Sequence, residues 1–306
     1  MNFKTARGAI ALASALTLAA CATTPPERQT AGTRPERQAA GPRLDRQAEG
    51  QAQAFEAFMR KAGAIDAGFS GPAEVTQALG AGAAYEPRQL EAGMIAYAAM
   101  AALEEPRFVA GVRKSAQGRE GQDLASRLAA RPDLADDLPG GSQAAARASA
   151  ALYRQGETLG ASGRKVKSAA YSIQHQAWAN SKVADPRGRL ARVKQNAVYR
   201  PDGDDRARLY KAVAQGGARG GPASPVVQRG LALAALTVLG QDGKARGLMS
   251  EPRSEMCLRM AKLNFHQCLA SAGPYYEDIY CLGLHAMIDP GQCVTSASQA
   301  RGVASR

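Results

Sequence analysis

Residues 254–293 read SEMCLRMAKLNFHQCLASAGPYYEDIYCLGLHAMIDPGQC, from Ser254 to Cys293. This stretch decides the fold of the C-terminal region. Ser254 is a good N-cap and Gly273-Pro274 is a stop, so the pattern predicts one helix over 254–272. Pro274 then starts a second helix, with Glu277 and Asp278 in the first turn, where the helix dipole favours acids. Cys257 and Cys268 are eleven residues apart on the first helix, about 16 Å along its axis. Disulfide Cα atoms lie at most about 7 Å apart, so of the three possible pairings the one joining these two is excluded while the helix is intact. An antiparallel hairpin turning at Gly273-Pro274 sets Cys268 opposite Cys281 and Cys257 opposite Cys293. Asp289-Pro290-Gly291 is expected to break the second helix before Cys293.

This nested arrangement is similar to coiled-coil-helix modules with twin Cx9C motifs, although the spacings here are x10 and x11. Zinc ligands usually come as close pairs such as CxxC, and none occurs. His266 and His285 lie in the same region, but a Cys–His nucleophile needs a free thiolate and four paired cysteines leave none. No metal and no cofactor is therefore expected.

Upstream, helical spacing recurs and strand signals are missing, which gives an all-α fold class. Phe55, Phe58 and Met59 mark a first helix. Pro87 opens a second with Leu90, Met94, Tyr97 and Ala101 on one face, and Pro106 opens a third. Leu124 and Leu128 mark a helix stopped at Pro132. Gly140-Gly141-Ser142 starts an Ala-rich helix to about Leu159, and Val166, Ala170, Ile173 and Ala177 form a stripe on the next. Helices over 186–199 and 204–215 and a loop over 216–225 follow. Residues 226–239 are apolar nearly all round and read as a central buried helix. Abundant Ala and Gly imply close helix approach.

At the other end, Lys4 and Arg7 precede an apolar run from Ala9 to Ala20, the layout of an export signal. It ends in Leu18-Ala19-Ala20-Cys21, which resembles the lipobox of bacterial lipoproteins. The resemblance implies a multiply acylated Cys21, and Ala22 after it implies the outer membrane of a Gram-negative cell. Next come PERQTAGTR, PERQAAGPR and LDRQAEGQA, three copies of a nine-residue repeat ending at Ala52. With so little apolar bulk the segment is expected to stay disordered, a tether with a reach of about 30 Å. The expected organisation is a signal peptide over 1–20, a lipidated tether over 21–50, a helical body over 51–245, a disulfide-linked hairpin over 246–294 and a flexible tail over 295–306.

The chain has 306 residues, 45% apolar and 22% charged, within the range of folded soluble proteins. No uncharged apolar run reaches the roughly 18 residues of a membrane span. The net charge is +12, and much of the excess falls in residues 161–200. Arg164, Lys165, Lys167, Lys182, Arg187, Arg189, Arg192, Lys194 and Arg200 stand there against Asp185 alone. Such a stripe attracts polyanions. Behind an export signal these are peptidoglycan carboxylates, lipopolysaccharide phosphates or lipid head groups, and not nucleic acid. Lys167, Tyr171, His175, Trp178 and Lys182 recur at helical spacing and are expected on one helix face, where the aromatics could stack on a sugar beside the cations. The blander reading buries Tyr171 and Trp178 in the core and leaves the Lys heads solvated.

Two functions from different classes follow. The first is a non-catalytic envelope lipoprotein, attached to the membrane through Cys21, whose helical body binds peptidoglycan, another envelope polyanion or a protein. The second is a cell-wall hydrolase of unfamiliar type built on Glu277, Asp278 or His285. Against the second, no GxSxG elbow occurs, and the Glu-Ser motif of lytic transglycosylases is missing.

Overall fold

The computed structural model describes residues 41–118, 121, 123–196, 199 and 202–300. The expected signal peptide, Cys21, the tether as far as residue 40, Arg200 and residues 301–306 lie outside them. In chain order the helices are α1 (Arg46–Gly63), α2 (Pro72–Ala83), α3 (Pro87–Leu103), α4 (Pro106–Ser115), α5 (Leu124–Ala130), α6 (Gly141–Ile173), α7 (Ala177–Asn180), α8 (Pro186–Gln195), α9 (Asp205–Ala214), α10 (Pro225–Val238), α11 (Pro252–Ser271), α12 (Tyr275–Cys281) and α13 (Asp289–Ala297). A π-helical segment, Leu282–Ile288, joins α12 to α13. No strand occurs among the described residues; one isolated antiparallel bridge links Lys182 and Pro274. The fold is all-α, as the periodicity predicts.

The starts are set by local chemistry. Proline occupies the first turn of α2, α3, α4, α8, α10 and α11, where its missing N–H costs nothing. Side chains of Asp45, Glu86 and Ser224 accept from the backbone N–H groups of Ala48, Gln89 and Val227. Each satisfies an amide with no partner inside its helix.

The core centres on α3 and α10. Every residue of α3 from Leu90 to Ala102 is buried, so this helix is enclosed on all sides and not on one face as expected. Helix α10 is buried as its sequence predicts. The two approach closely because Gly230 faces Ala98: a Cβ on Gly230 would lie 2.7 Å from that methyl. Helices α1, α6 and α11 pack around α3.

Several boundaries differ from expectation. The third repeat copy is helical from Arg46, because Leu44, Ala48 and Ala52 reach the core and Arg206 of α9 pairs with Glu49 at 2.5 Å. The ordered body therefore begins before residue 51. Helix α2 is an addition; its Val75, Ala78 and Leu79 are buried at helical spacing. The Ala-rich helix and the Val166 stripe are one helix, α6, of 33 residues. Gly160 and Gly163, between the two expected helices, lie where the C-terminal segment crosses. A Cβ on Gly163 would come within 2.7 Å of Met287 Cβ. Helix α13 continues to Ala297, so the tail does not begin at 295.

The hairpin forms as the spacing requires, with disulfides Cys257–Cys293 and Cys268–Cys281. Asp289-Pro290-Gly291 does not break its second arm. Pro290 lacks an N–H and its ring crowds the carbonyl one turn back, and the wider π segment before it absorbs both defects. Body and hairpin are not separate: Gly41–Arg306 forms one compact unit.

Candidate functional site

The second half of α6, the segment after it and α12 build one surface. Tyr280 of α12 lies beneath two α6 side chains. Tyr171 meets it edge-on, with ring centroids 6.0 Å apart, and Lys167 Nζ stands 5.4 Å from its centroid. Tyr171 is 57% exposed, so the ring presents a free face to solvent. Tyr275, Tyr276 and Trp178 are partly buried and pack against the core beside it.

The five residues expected on one helix face are not on one helix. Lys167 and Tyr171 are on α6, which ends at Ile173. His175 is exposed in the turn, Trp178 is on the one-turn helix α7, and Lys182 is exposed in an extended segment. The reason is backbone pairing with the hairpin turn. Val183 N–H donates to the Gly273 carbonyl at 3.0 Å, and Tyr275 N–H donates to the Ser181 carbonyl at 3.4 Å. Continuing α6 would forfeit these bonds. The indole N–H of Trp178 donates to Gln176 Oε1 at 2.7 Å, which fixes the ring by its polar edge. Burial of Tyr171 does not occur; Trp178 is half-way between the two expectations.

The cations of 161–196 divide into three kinds. Arg189 is buried and is a fastener: it donates to Asp278 and to the carbonyls of Leu269 and Ala272, pinning α8 to the hairpin. Arg164 and Arg192 make exposed pairs with Glu157 and Asp185 at 3.8 and 3.6 Å. Lys165, Lys167, Lys182, Arg187 and Lys194 make no ion pair among the described residues. Exposed pairs are weak, so nearly all of this charge remains available.

The residues expected for a hydrolase go separate ways. Asp278 is 1% exposed and faces Arg189. Burial pushes its carboxyl up to about 6, against the pull of the guanidinium. Glu277 accepts from Gly273 N–H at 2.8 Å and serves the turn. His285 Nδ1 lies 2.7 Å from Asp289 Oδ2 instead. His266 is held neutral: burial, then Lys262 and Lys194, push its pKa down. Among the described residues no group of His, Cys, Asp and Glu is placed to hold a metal ion.

Tyr280 is not among the expected residues, and Arg189, expected among the free cations, is buried. Three tyrosines within Tyr275–Tyr280 were a visible signal for the first. Nothing in the sequence separates Arg189 from its exposed neighbours. No family model, no curated protein and no solved structure matches this chain.

Proposed function

We propose that the chain is a lipid-anchored envelope protein whose helical body is a non-catalytic binding module facing the periplasm. Its ligand is an anionic, sugar-bearing wall polymer such as peptidoglycan. The observation that carries this reading is the arrangement of Lys167 and Tyr171 over Tyr280, with Tyr171 exposed and unpaired cations around it. An exposed ring stacks on a sugar face, and neighbouring ammonium groups hold carboxylates or phosphates. The two disulfides support an oxidising compartment, in keeping with the export signal and lipobox-like Cys21. The hydrolase reading is weaker, because Glu277, Asp278 and His285 each face a different partner.

Co-sedimentation with purified sacculi tests it, using the chain from residue 21 with Cys21→Ser. Binding is expected at low salt, with a fall of at least tenfold in Lys167→Ala/Tyr171→Ala. Binding indifferent to both changes contradicts the reading, and release of soluble fragments favours the hydrolase.

A further inference from the structure

Helix α11 carries a second surface. Met256, Met260 and Leu263 recur at i, i+4 and i+7 and are 52, 45 and 45% exposed. Apart from Tyr171 they are the exposed large hydrophobic side chains among the described residues. The spacing sets them on one face, away from buried Leu258, Phe265 and Leu269. Exposed Arg253 and Arg259 flank them. Two acids are near: Glu255 is held between Arg259 and Arg88, the latter at 3.7 Å, and is itself largely buried, and Glu86 is exposed and acts on Lys262 of α11. The border of the apolar patch carries three arginines against these two acids.

A second observation bears on what it meets. Arg88 also lines a cavity of about 550 Å³ together with Asp45, the N-cap of α1. Arg88 thus links α11 to a cavity that the start of α1 also lines. Residues 21–40 span at most about 70 Å even when fully extended.

We propose that this face of α11 rests on an anionic lipid surface. Met256, Met260 and Leu263 enter the boundary between head groups and acyl chains, and Arg88, Arg253 and Arg259 meet phosphates. The inference rests on the lipid-anchor reading above. Flexible thioether side chains suit a fluid surface. Three half-exposed side chains fall well short of the roughly 800 Å² per partner of a stable protein interface. A tethered surface needs no such area, because the anchor holds it at high effective concentration.

The test is methionine oxidation by hydrogen peroxide, read by mass spectrometry. The acylated chain on vesicles of phosphatidylcholine with about 30% phosphatidylglycerol is compared with the soluble Cys21→Ser chain. Sulfoxide formation at Met256 and Met260 is expected to slow at least fivefold on the vesicles. In Arg253→Glu/Arg259→Glu, anchored in the same way, the protection is expected to disappear. Equal rates on vesicles and in solution would overturn the proposal. So would protection in the soluble chain that grows with protein concentration, which would assign the face to a second copy. The mass of the Cys21 peptide reports the anchor independently. If Cys21 carries no acyl chain, flotation of the unacylated chain with the same vesicles decides the surface alone. Loss of at least fivefold in Met256→Ser/Met260→Ser/Leu263→Ser is the supporting outcome, and no loss is the contrary one.

Discussion

Gly156 of α6 and Gly291 of α13 face each other so closely that neither position has room for a methyl. A Cβ on Gly156 would lie 2.6 Å from the Gly291 carbonyl oxygen, and one on Gly291 would lie 2.8 Å from the Gly156 carbonyl oxygen. Seven residues further along α6, Gly163 meets Gly283 in the same way, 2.8 Å from its carbonyl. These two pairs let the hairpin's second arm lie against α6 with backbones nearly touching. They are the reason the disulfide-linked segment belongs to the body.

Gly291→Ala and Gly283→Ala are each expected to destabilise the protein by about 1–3 kcal/mol, since backbone has to move. Gly50→Ala, in α1 with nothing within 4 Å, is expected to stabilise by up to about 1 kcal/mol through helix propensity. Urea unfolding of the three variants checks the contrast. A neutral Gly291→Ala would mean that the two backbones do not lie in contact.

Arg189→Ala leaves Asp278 buried without its counter-ion. Removing one partner of a buried pair costs about 3–5 kcal/mol, whereas an exposed arginine costs within about 0.5. Arg187→Ala, two residues away on the same helix, is the control. A denaturation midpoint for Arg189→Ala equal to that of Arg187→Ala would remove Arg189 from its fastening role.

Much of this was legible in the sequence. The stop at Gly273-Pro274 and the cysteine spacings yield the hairpin and both bridges, because a helix has a fixed rise and a disulfide a fixed reach. Pro87, Pro106 and Pro186 mark the starts of α3, α4 and α8. The end of α6 was not legible. Ser172-Ile173-Gln174-His175 carries no breaker, and the helix stops only because a distant turn offers its backbone bonds. The candidate surface departs from expectation for the same reason: Lys167 and Tyr171 share α6, but the ring between them, Tyr280, comes from a helix over one hundred residues away.

Glu91 makes stability depend on pH. It is fully buried in α3 and accepts from Glu251 N–H at the start of α11. Burial chiefly pushes its carboxyl up to about 7, against the Glu251 N–H hydrogen bond and Arg229, with the charges of Glu255 and Glu251 adding. An acid with a raised pKa binds its proton more tightly in the folded state. Its contribution is present below the unfolded value near 4.5 and is lost as pH rises through about 7. The loss is on the order of 3 kcal/mol. Glu91→Gln keeps an acceptor for Glu251 N–H and is expected to be more stable than the parent at pH 8 and to flatten the profile from pH 5 to 8. Parallel profiles for the two proteins would contradict this.

The two bridges are expected to differ in worth. Cys257–Cys293 closes 36 residues and Cys268–Cys281 closes 13. Chain entropy gives about 4 kcal/mol for the first and about 3 for the second. Unfolding midpoints of Cys257→Ser/Cys293→Ser and Cys268→Ser/Cys281→Ser check the order, and a reversed order would show that strain or packing outweighs loop length.

Trp178 is the only tryptophan in the chain and lies at the proposed polymer surface, so its fluorescence reports that surface directly. Titration of the soluble Cys21→Ser chain with soluble, carboxylate-bearing peptidoglycan fragments is the most direct measurement. A saturable change in Trp178 emission is expected, with a midpoint at least tenfold weaker in Lys167→Ala/Tyr171→Ala and weaker as salt rises. An emission unchanged at saturating fragment, or a midpoint identical in the variant, would contradict the account.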